Sequence, residues 1–319
     1  MHEALGLPLR PLGRTGLLVT PLCLGCAPLG HMPETFGHGV SEAQALATLR
    51  AVFASPINTL DTAAIYGDGA SERRIGRALR ERGGLPPGFV LATKADRDPR
   101  TGDFSGAQMR RSVEGSLRRL GLDHLPLVYL HDPEHTTFEQ VLAPSGPLEV
   151  LQQLQREGLI GQIGISGGPI AMLLRYITTG AFVVVMTHNR YTLLNRTAEP
   201  LLDAAAGLGI AVVNAAPYNS GILADPAGSA RYAYRAAPPA LLTRARELAA
   251  LCAAHGTPLA AAALQFSLRD PRIATTVVGL TSPEQVAQTL ELARHPIPAE
   301  LWQALAEVQV DESDPQTGG

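Results

Sequence analysis

The sequence lacks most of what marks a secreted, membrane-bound or nucleic-acid-binding protein. Its 319 residues contain three cysteines, Cys23, Cys26 and Cys252, too few for a disulfide framework. No apolar run approaches the roughly 20 residues that span a bilayer, and the N-terminal MHEALGLPLRPLGRTG has no uninterrupted apolar core of the kind a signal peptide needs. The 26 basic and 29 acidic residues are spread along the chain and leave a net charge of -3, so nothing resembles the basic footprint that nucleic acid or anionic lipid requires. No GxGxxG follows an apolar run, and IGQIGISGG has its glycines at the wrong spacing, so a Rossmann dinucleotide site is not supported. Cys23 and Cys26 form a CxxC, but no second CxxC or His pair stands ready to complete a metal site. In PLCLGCAPL these cysteines read as small hydrophobes of a buried strand, and no metal is expected. These absences leave a cytoplasmic protein with a small-molecule partner, without nucleic acid or membrane, as a monomer or homodimer.

What is present is an alternation. With 45% hydrophobic residues the chain can bury a sizeable core. Short apolar runs bounded by turn residues begin at Leu22, Ile57, Phe89, Leu125, Ile160, Phe182, Ile210 and Ala274. Segments of helical periodicity lie between them, such as SEAQALATLRAVFA, SERRIGRALRERG and PLEVLQQLQREGL. The runs are continuously apolar, as strands buried on both faces of a parallel sheet are. Without a linker or composition break, eight such units predict one (β/α)8 TIM barrel, a single domain over residues 1–319, rather than a doubly wound pair of domains. LPLRPLGRTGLLVTPL reads as an N-terminal β-hairpin closing the barrel floor, and PAELWQALAEV as a C-terminal packing helix. Ser105 with Gln108 and Ser282 with Gln285 read as capping boxes, and Pro147 and Pro283 as first helical residues.

In such a barrel the functional face is the ring of loops at the carboxyl ends of the strands. Asp61 ends the second run, Tyr66 follows in the next loop, Lys94 ends the third and His131 ends the fourth. Each has an ordinary alternative: a helix cap, a packing ring, a solvated lysine, a structural histidine. Their joint placement on three adjacent strands favours convergence, because an ammonium directly after FVLAT is costly unless a partner such as Asp61 neutralises it. A phenol of ordinary pKa about 10 is a poor acid or base near neutrality, and a nearby ammonium favours its ionised form. The expectation is that Asp61 holds Lys94, that Lys94 lowers the Tyr66 pKa towards the working range, and that His131 hydrogen-bonds the reacting oxygen. Gly67 and Gly69 would let the loop turn, and Ser71 would cap the next helix.

Asp61, Tyr66, Lys94 and His131 follow the order and approximate spacing of the tetrad of the aldo-keto reductases, and the sequence resembles that family through nearly the whole chain. DTAAIYGDGASERRIGRAL is similar to its first signature, YLHDPE to its histidine segment and IGISG to its nicotinamide-binding segment. HDPE, the stretch NRYTLLNRTAEPLLDAAAGLGIAVVNAAPYNSGILA and VVGLTSPEQV resemble most the branch that oxidises sugars. That resemblance implies nicotinamide-dependent hydride transfer at C1 of an aldose of the L-galactose, L-fucose or D-arabinose type, giving a lactone. Reduction of small aldehydes or ketones by the same residues is the alternative; a nicotinamide-binding sensor or regulatory barrel is the alternative of a different class.

A barrel of this kind commonly binds phosphate with the loops after strands seven and eight and a helix start, here PYNSGILA and GLTSPEQV. The resemblance implies Ser166 at the carboxamide, Ser220 and Gly221 at the pyrophosphate, and Gly279, Thr281 and Gln285 towards the adenosine. It also shows departures: Gly167 where many relatives have Asn, His188 where they have Gln, and Ala215 where a tyrosine often stacks on the nicotinamide. From Ile273 through Ala293 there is no Arg or Lys, while Glu284 and Glu291 add negative charge. A 2′-phosphate needs a cation there, so NAD is expected over NADP. The long loops on this face carry His31, Asp96, Arg97 and Asn189, which suits a hydroxylated substrate.

Overall fold

A computed structural model describes residues 7–315; the first six residues of the segment read for a leader, and both ends of the expected 1–319 domain, lie outside them. Eight parallel strands close into a barrel: β1 (Leu22–Gly25), β2 (Thr59–Asp61), β3 (Val90–Ala95), β4 (Leu125–His131), β5 (Ile160–Ser166), β6 (Val184–His188), β7 (Ala211–Ala215) and β8 (Ile273–Gly279), with β8 pairing back to β1. Each apolar run named from the sequence overlaps one of them, β8 starting one residue before its run. The helices of eight or more residues are α1 (Glu42–Phe53), α2 (Ala70–Arg82), α3 (Gly106–Leu120), α4 (Pro147–Arg156), α5 (Ile170–Ile177), α6 (Glu199–Leu208), α7 (Pro239–Ala254), α8 (Leu259–Leu268), α9 (Pro283–Arg294) and α10 (Ala299–Ala306), with shorter ones at Pro33–Phe36 and Phe138–Leu142. This is the expected (β/α)8 TIM barrel. No single described helix is long and apolar enough to cross a membrane.

Alternate residues along most of the strands enter two separate cores. Cys23, Ala92, Leu127, Tyr129, Met186 and Val213 fill the barrel interior, while Leu22, Leu24, Leu60, Leu91, Val128 and Ile165 pack outward under the helices. With apolar partners on both faces over most of the sheet, the period of two leaves little polar alternation to mark it. The floor is sealed by an antiparallel hairpin pairing Arg10 with Val19 and Pro11 with Leu18, and its Leu12 and Val19 join the interior cluster. The Arg10 guanidinium donates to the carbonyls of Leu268 at 2.8 Å and Ile273 at 3.0 Å, which fastens the hairpin under β8. On the outside, Leu301 and Leu305 of α10 pack with Leu248 and Cys252 of α7. All three cysteines are buried and free, and no metal-binding group occurs among the described residues.

The helix starts depart from the expected caps in detail. The Ser105 and Ser282 hydroxyls accept from the backbone N–H groups of Gln108 and Gln285, as N-caps do. The reciprocal half of each box is missing: the Gln108 amide donates to the Asp96 carbonyl, and the Gln285 side chain accepts from Thr281. The complete box is Thr137 with Gln140. Gly69, in the left-handed region, caps α2 in place of Ser71. The Ser71 hydroxyl instead donates to the Cys26 carbonyl at 2.8 Å and meets the Thr62 hydroxyl at 2.9 Å, tying α2 to the mouth of the barrel.

Candidate active site

Strands β2, β3 and β4 are neighbours in the barrel, so residues distant in sequence meet at their carboxyl ends. Lys94 is 1% exposed, and its ammonium donates to Asp61 Oδ2 at 2.7 Å, to the Thr62 carbonyl at 2.7 Å and to the Tyr66 hydroxyl at 3.2 Å. An ammonium has three N–H donors and no acceptor; here each finds one oxygen. A planar guanidinium directs its donors in a flat fork and does not match this arrangement. The sequence carried a signal for this position: Lys94 is the sole lysine, every other member of the 26 being arginine.

The loop that presents Tyr66 turns through Gly67, Asp68 and Gly69, all at positive φ. Gly67 also lies against the carbonyl of Gly30, where a Cβ would collide. The Tyr66 ring stands edge-on to the His131 ring, with centroids 6.1 Å apart.

The electrostatics correct the expected tuning of the phenol. Burial opposes charge on Lys94, but Asp61 and Tyr66 outweigh it and hold the ammonium above its ordinary range. At Tyr66 burial is the larger effect and pushes the phenol up; Lys94 pulls it down without overcoming the loss of water. The phenol is therefore protonated over a wider pH range than a free tyrosine. Burial and the neighbouring Arg190 charge press His188 down to about 4, so its ring is neutral near neutrality. At His131 burial works against the charge, but Asp132 and Asp96 outweigh it, and the ring holds its proton above the ordinary range.

A cleft of about 490 Å³ opens beside Asp61, within the usual size of a small-molecule or cofactor site. Ser220, Gly221, Gly279, Thr281 and Gln285 line it, together with Ala215, Tyr218 and Tyr234. Its far end meets the N-terminus of α9, where Ser282 is the cap. Ser166 and His188 lie outside this lining: Ser166 is paired with His131 in the β4–β5 ladder, and His188 ends β6 with its ring centroid 6.2 Å from that of Tyr234. The Ser220 hydroxyl accepts from the Tyr234 N–H at 2.7 Å. In this structure it supports the loop over the cleft.

Several polar loop residues assigned to the substrate pocket have other occupations. Asn189 is fully buried and its carbonyl accepts from Asn219, while the His31 ring contacts the Val40 carbonyl. Arg97 stands beside His135 at the exposed rim. Asp96 is buried and bonds His131 at 2.5 Å. The sequence did carry a signal for it, since a residue two beyond Lys94 on a strand faces the same side. Tyr234 has no such signal. It comes from a hairpin pairing Arg231 with Ala236, and its position over the cleft depends on Arg231 reaching the carbonyls of Thr35 and Tyr234, both at 2.7 Å.

A closed parallel barrel with a buried acid–lysine–tyrosine cluster at its mouth and a cleft alongside is the architecture of a barrel oxidoreductase, and residues 21–310 match the model of the Aldo/keto reductase family. The chain belongs to that family, whose members use nicotinamide cofactors. It is 34% identical to D-threo-aldose 1-dehydrogenase from Pseudomonas sp., over 92% of this chain and 95% of that protein. With L-galactose dehydrogenase from Arabidopsis thaliana it shares 32% identity, over 88% of this chain and 86% of that one. Among solved structures, a holo-form aldo-keto reductase from Bacillus halodurans superposes with a TM-score of 0.78 at 28% identity, covering 97% of this chain and 100% of that chain.

Proposed function

We propose that the chain is an NAD-dependent aldose 1-dehydrogenase, with Asp61, Tyr66, Lys94 and His131 as its catalytic residues. The observation that carries this reading is the Lys94 ammonium bonded at once to Asp61, Thr62 and Tyr66 at the barrel mouth. Two relatives named for aldose or galactose dehydrogenation, similar over most of the chain, support the choice of an aldose. Bound NAD supplies the acceptor for the C1 hydride. In the same step the C1 hydroxyl loses its proton and the C1–O bond becomes a carbonyl, so an aldose ring gives a lactone. Tyr66 and His131 would flank the reacting oxygen: Tyr66 takes up that proton in its phenolate form, which the Lys94 ammonium stabilises, His131 hydrogen-bonds the oxygen, and Asp61 keeps Lys94 charged and in place.

Along the cleft, Ser220 and Gly221 would meet the pyrophosphate, and Gly279, Thr281 and Gln285 the adenosine end, with Ser166 and the neutral His188 towards the carboxamide. The preference for NAD rests on charge. The cleft wall from Gly279 to Leu292 holds no cation, and Arg231, which also lines the cleft, donates to two backbone carbonyls. A 2′-phosphate dianion against the Gly279–Leu292 wall would meet no cation on that wall.

The second reading, carbonyl reduction, is favoured by the phenol being held above its ordinary range, because a protonated phenol is the acid that a carbonyl oxygen needs. Initial rates over L-fucose, L-galactose, D-arabinose and pyridoxal with NAD and NADP, set against aldehyde reduction with NADH, separate the two. The aldose reading expects lactone formation with NAD at least about tenfold better in kcat/KM than with NADP, about 1.4 kcal/mol. Turnover confined to aldehydes would overturn it. Tyr66→Phe should lower kcat by about 10²- to 10⁴-fold and leave NADH affinity in a fluorescence titration unchanged.

A further inference from the structure

Assigning His131 to the reacting oxygen leaves open what decides which of its two ring nitrogens faces that oxygen. Asp96 is 5% exposed and His131 8%, so neither can rely on water for its hydrogen bonds. Asp96 Oδ1 lies 2.5 Å from His131 Nδ1, and Asp96 Oδ2 accepts from the Ile65 N–H at 2.9 Å. The Asp96 backbone is held as firmly: its N–H donates to the Ser112 hydroxyl at 2.9 Å, and its carbonyl accepts from the Gln108 amide at 3.0 Å. One carboxylate thus ties together the imidazole on β4 and the residue that immediately precedes Tyr66. An ionised carboxylate only accepts, so the nitrogen facing it must carry the proton, and a neutral imidazole then presents Nε2 as a lone pair.

Resting on the reading that His131 meets the reacting oxygen, we propose that Asp96 is a positioning residue: it holds His131 in the Nδ1–H tautomer with Nε2 turned to the substrate, and through Ile65 it sets the spacing between His131 and Tyr66. Such a residue makes His131 competent in both directions. Neutral, Nε2 accepts the hydrogen bond of a C1 hydroxyl; protonated, it donates to a carbonyl oxygen.

The charged and titratable groups around this ring come from several elements. Asp96, Lys94 and Asp61 lie at the ends of β3 and β2, and Tyr66 in the loop after β2. Asp132 follows in the chain, with Oδ1 3.5 Å from Nε2; Glu134, His135 and His188 lie farther out and also act on this cluster. Asp96 and Asp132 favour the imidazolium, and Lys94 disfavours it. Removing the Asp96 charge shifts that balance towards the neutral ring, so the ring should lose its proton at lower pH.

The test uses the full chain labelled with ¹⁵N-histidine. Two-bond ¹H–¹⁵N spectra report the tautomer and midpoint of His131, whose signal is identified by its loss in His131→Gln. Expected are an Nδ1–H pattern in the wild type above its midpoint and, in Asp96→Asn, a midpoint lower by about one pH unit or more. Asp96→Asn should also lower kcat for aldose oxidation by about 10²-fold and move the acidic limb of the rate profile to lower pH, with NADH affinity unchanged. An Nε2–H tautomer in the wild type overturns the proposal even if the variant fails to fold, and so does an unmoved midpoint in a folded variant. Because the spectra need no substrate, absence of turnover with every aldose would remove the dehydrogenase reading while leaving the Asp96–His131 assignment to stand or fall on the tautomer.

Discussion

The two ends of the barrel make sharp turns by different means. Among the described residues, all ten non-glycine positions at positive φ lie in loops leaving the carboxyl ends of strands, from His31 after β1 to Tyr234 after β7. At the opposite end, where helices return to strands, the left-handed positions belong to glycine: Gly83 after α2, Gly121 after α3, Gly158 after α4, Gly180 after α5 and Gly209 after α6. Glycine adopts this conformation without steric penalty and is the usual helix terminator, whereas another residue held there costs on the order of 1–3 kcal/mol. The interior repeats the contrast. Towards the floor it is packed by Leu12, Val19 and Cys23, while at the mouth the Lys94–Asp61 ion pair is kept out of water. Where only folding is at stake the chain uses glycine; at the mouth it also holds side chains in this conformation, of which Ala216, Ser220 and Tyr234 line the cleft.

The largest break in that comparison should come from Lys94→Met, which leaves the Asp61 carboxylate buried and unpaired. Loss of about 3–5 kcal/mol of unfolding free energy is expected, with much of it recovered in the double variant Lys94→Met/Asp61→Leu. Urea denaturation decides, and equal stability of wild type and single variant would show that the pair is already hydrated.

The next effect is a pH dependence at the mouth. His188 in the folded chain titrates at about 4, below its ordinary 6.5, so the unfolded chain takes up the proton first. Stability should fall as pH drops from about 6.5 towards 4 and level off below, by at most about 3 kcal/mol for this group. His188→Gln should flatten that part of the stability curve; parallel curves for wild type and variant would refute the assignment. His131 has its folded value raised, so its contribution is complete below the ordinary histidine pKa and is lost only as pH rises through the folded value. It does not mask the window of His188.

Smaller effects sharpen the contrast between the two kinds of turn. Gly158→Ala, at φ 78 with open space around it, should cost about 1–2 kcal/mol while kcat per folded molecule is unchanged. Ala216→Gly at the mouth, φ 58, makes the reverse change in the same backbone region and should raise stability by a similar amount, about 1–2 kcal/mol. Its effect should appear in NADH affinity, since Ala216 lines the cleft. If the two variants changed stability and affinity in the opposite pattern, the division between the ends of the barrel would be wrong.

The barrel was legible because all its strands share one signature, a short doubly buried apolar run, and repetition compensates for the ambiguity of any single run. The positions of Asp61, Lys94 and His131 were legible for a related reason: each is a chemically active residue at the end of such a run. The capping of α2 was misread because Ser71 had a better partner in Cys26, a residue that only the closed barrel brings near. Asp96 reads from the sequence as a polar residue of the loop after β3; its partner His131 ends β4, a neighbour that only the closed barrel supplies. The phenol of Tyr66 shifted in the direction opposite to expectation, because the ammonium was visible in the sequence and the depth of burial was not.

By itself, then, the sequence determined the repeat of strand and helix, the face on which chemistry-bearing residues end, and the scarcity of lysine that marks Lys94. These follow from properties local to a strand or a turn: periodicity, backbone freedom and the cost of placing a charge after an apolar run. The tertiary structure alone decided how far water is excluded from Tyr66, which groups surround His131, and that a hairpin far in sequence from Tyr66 and Lys94 lies over the cleft, because solvation and pairing depend on what packs from elsewhere in the chain.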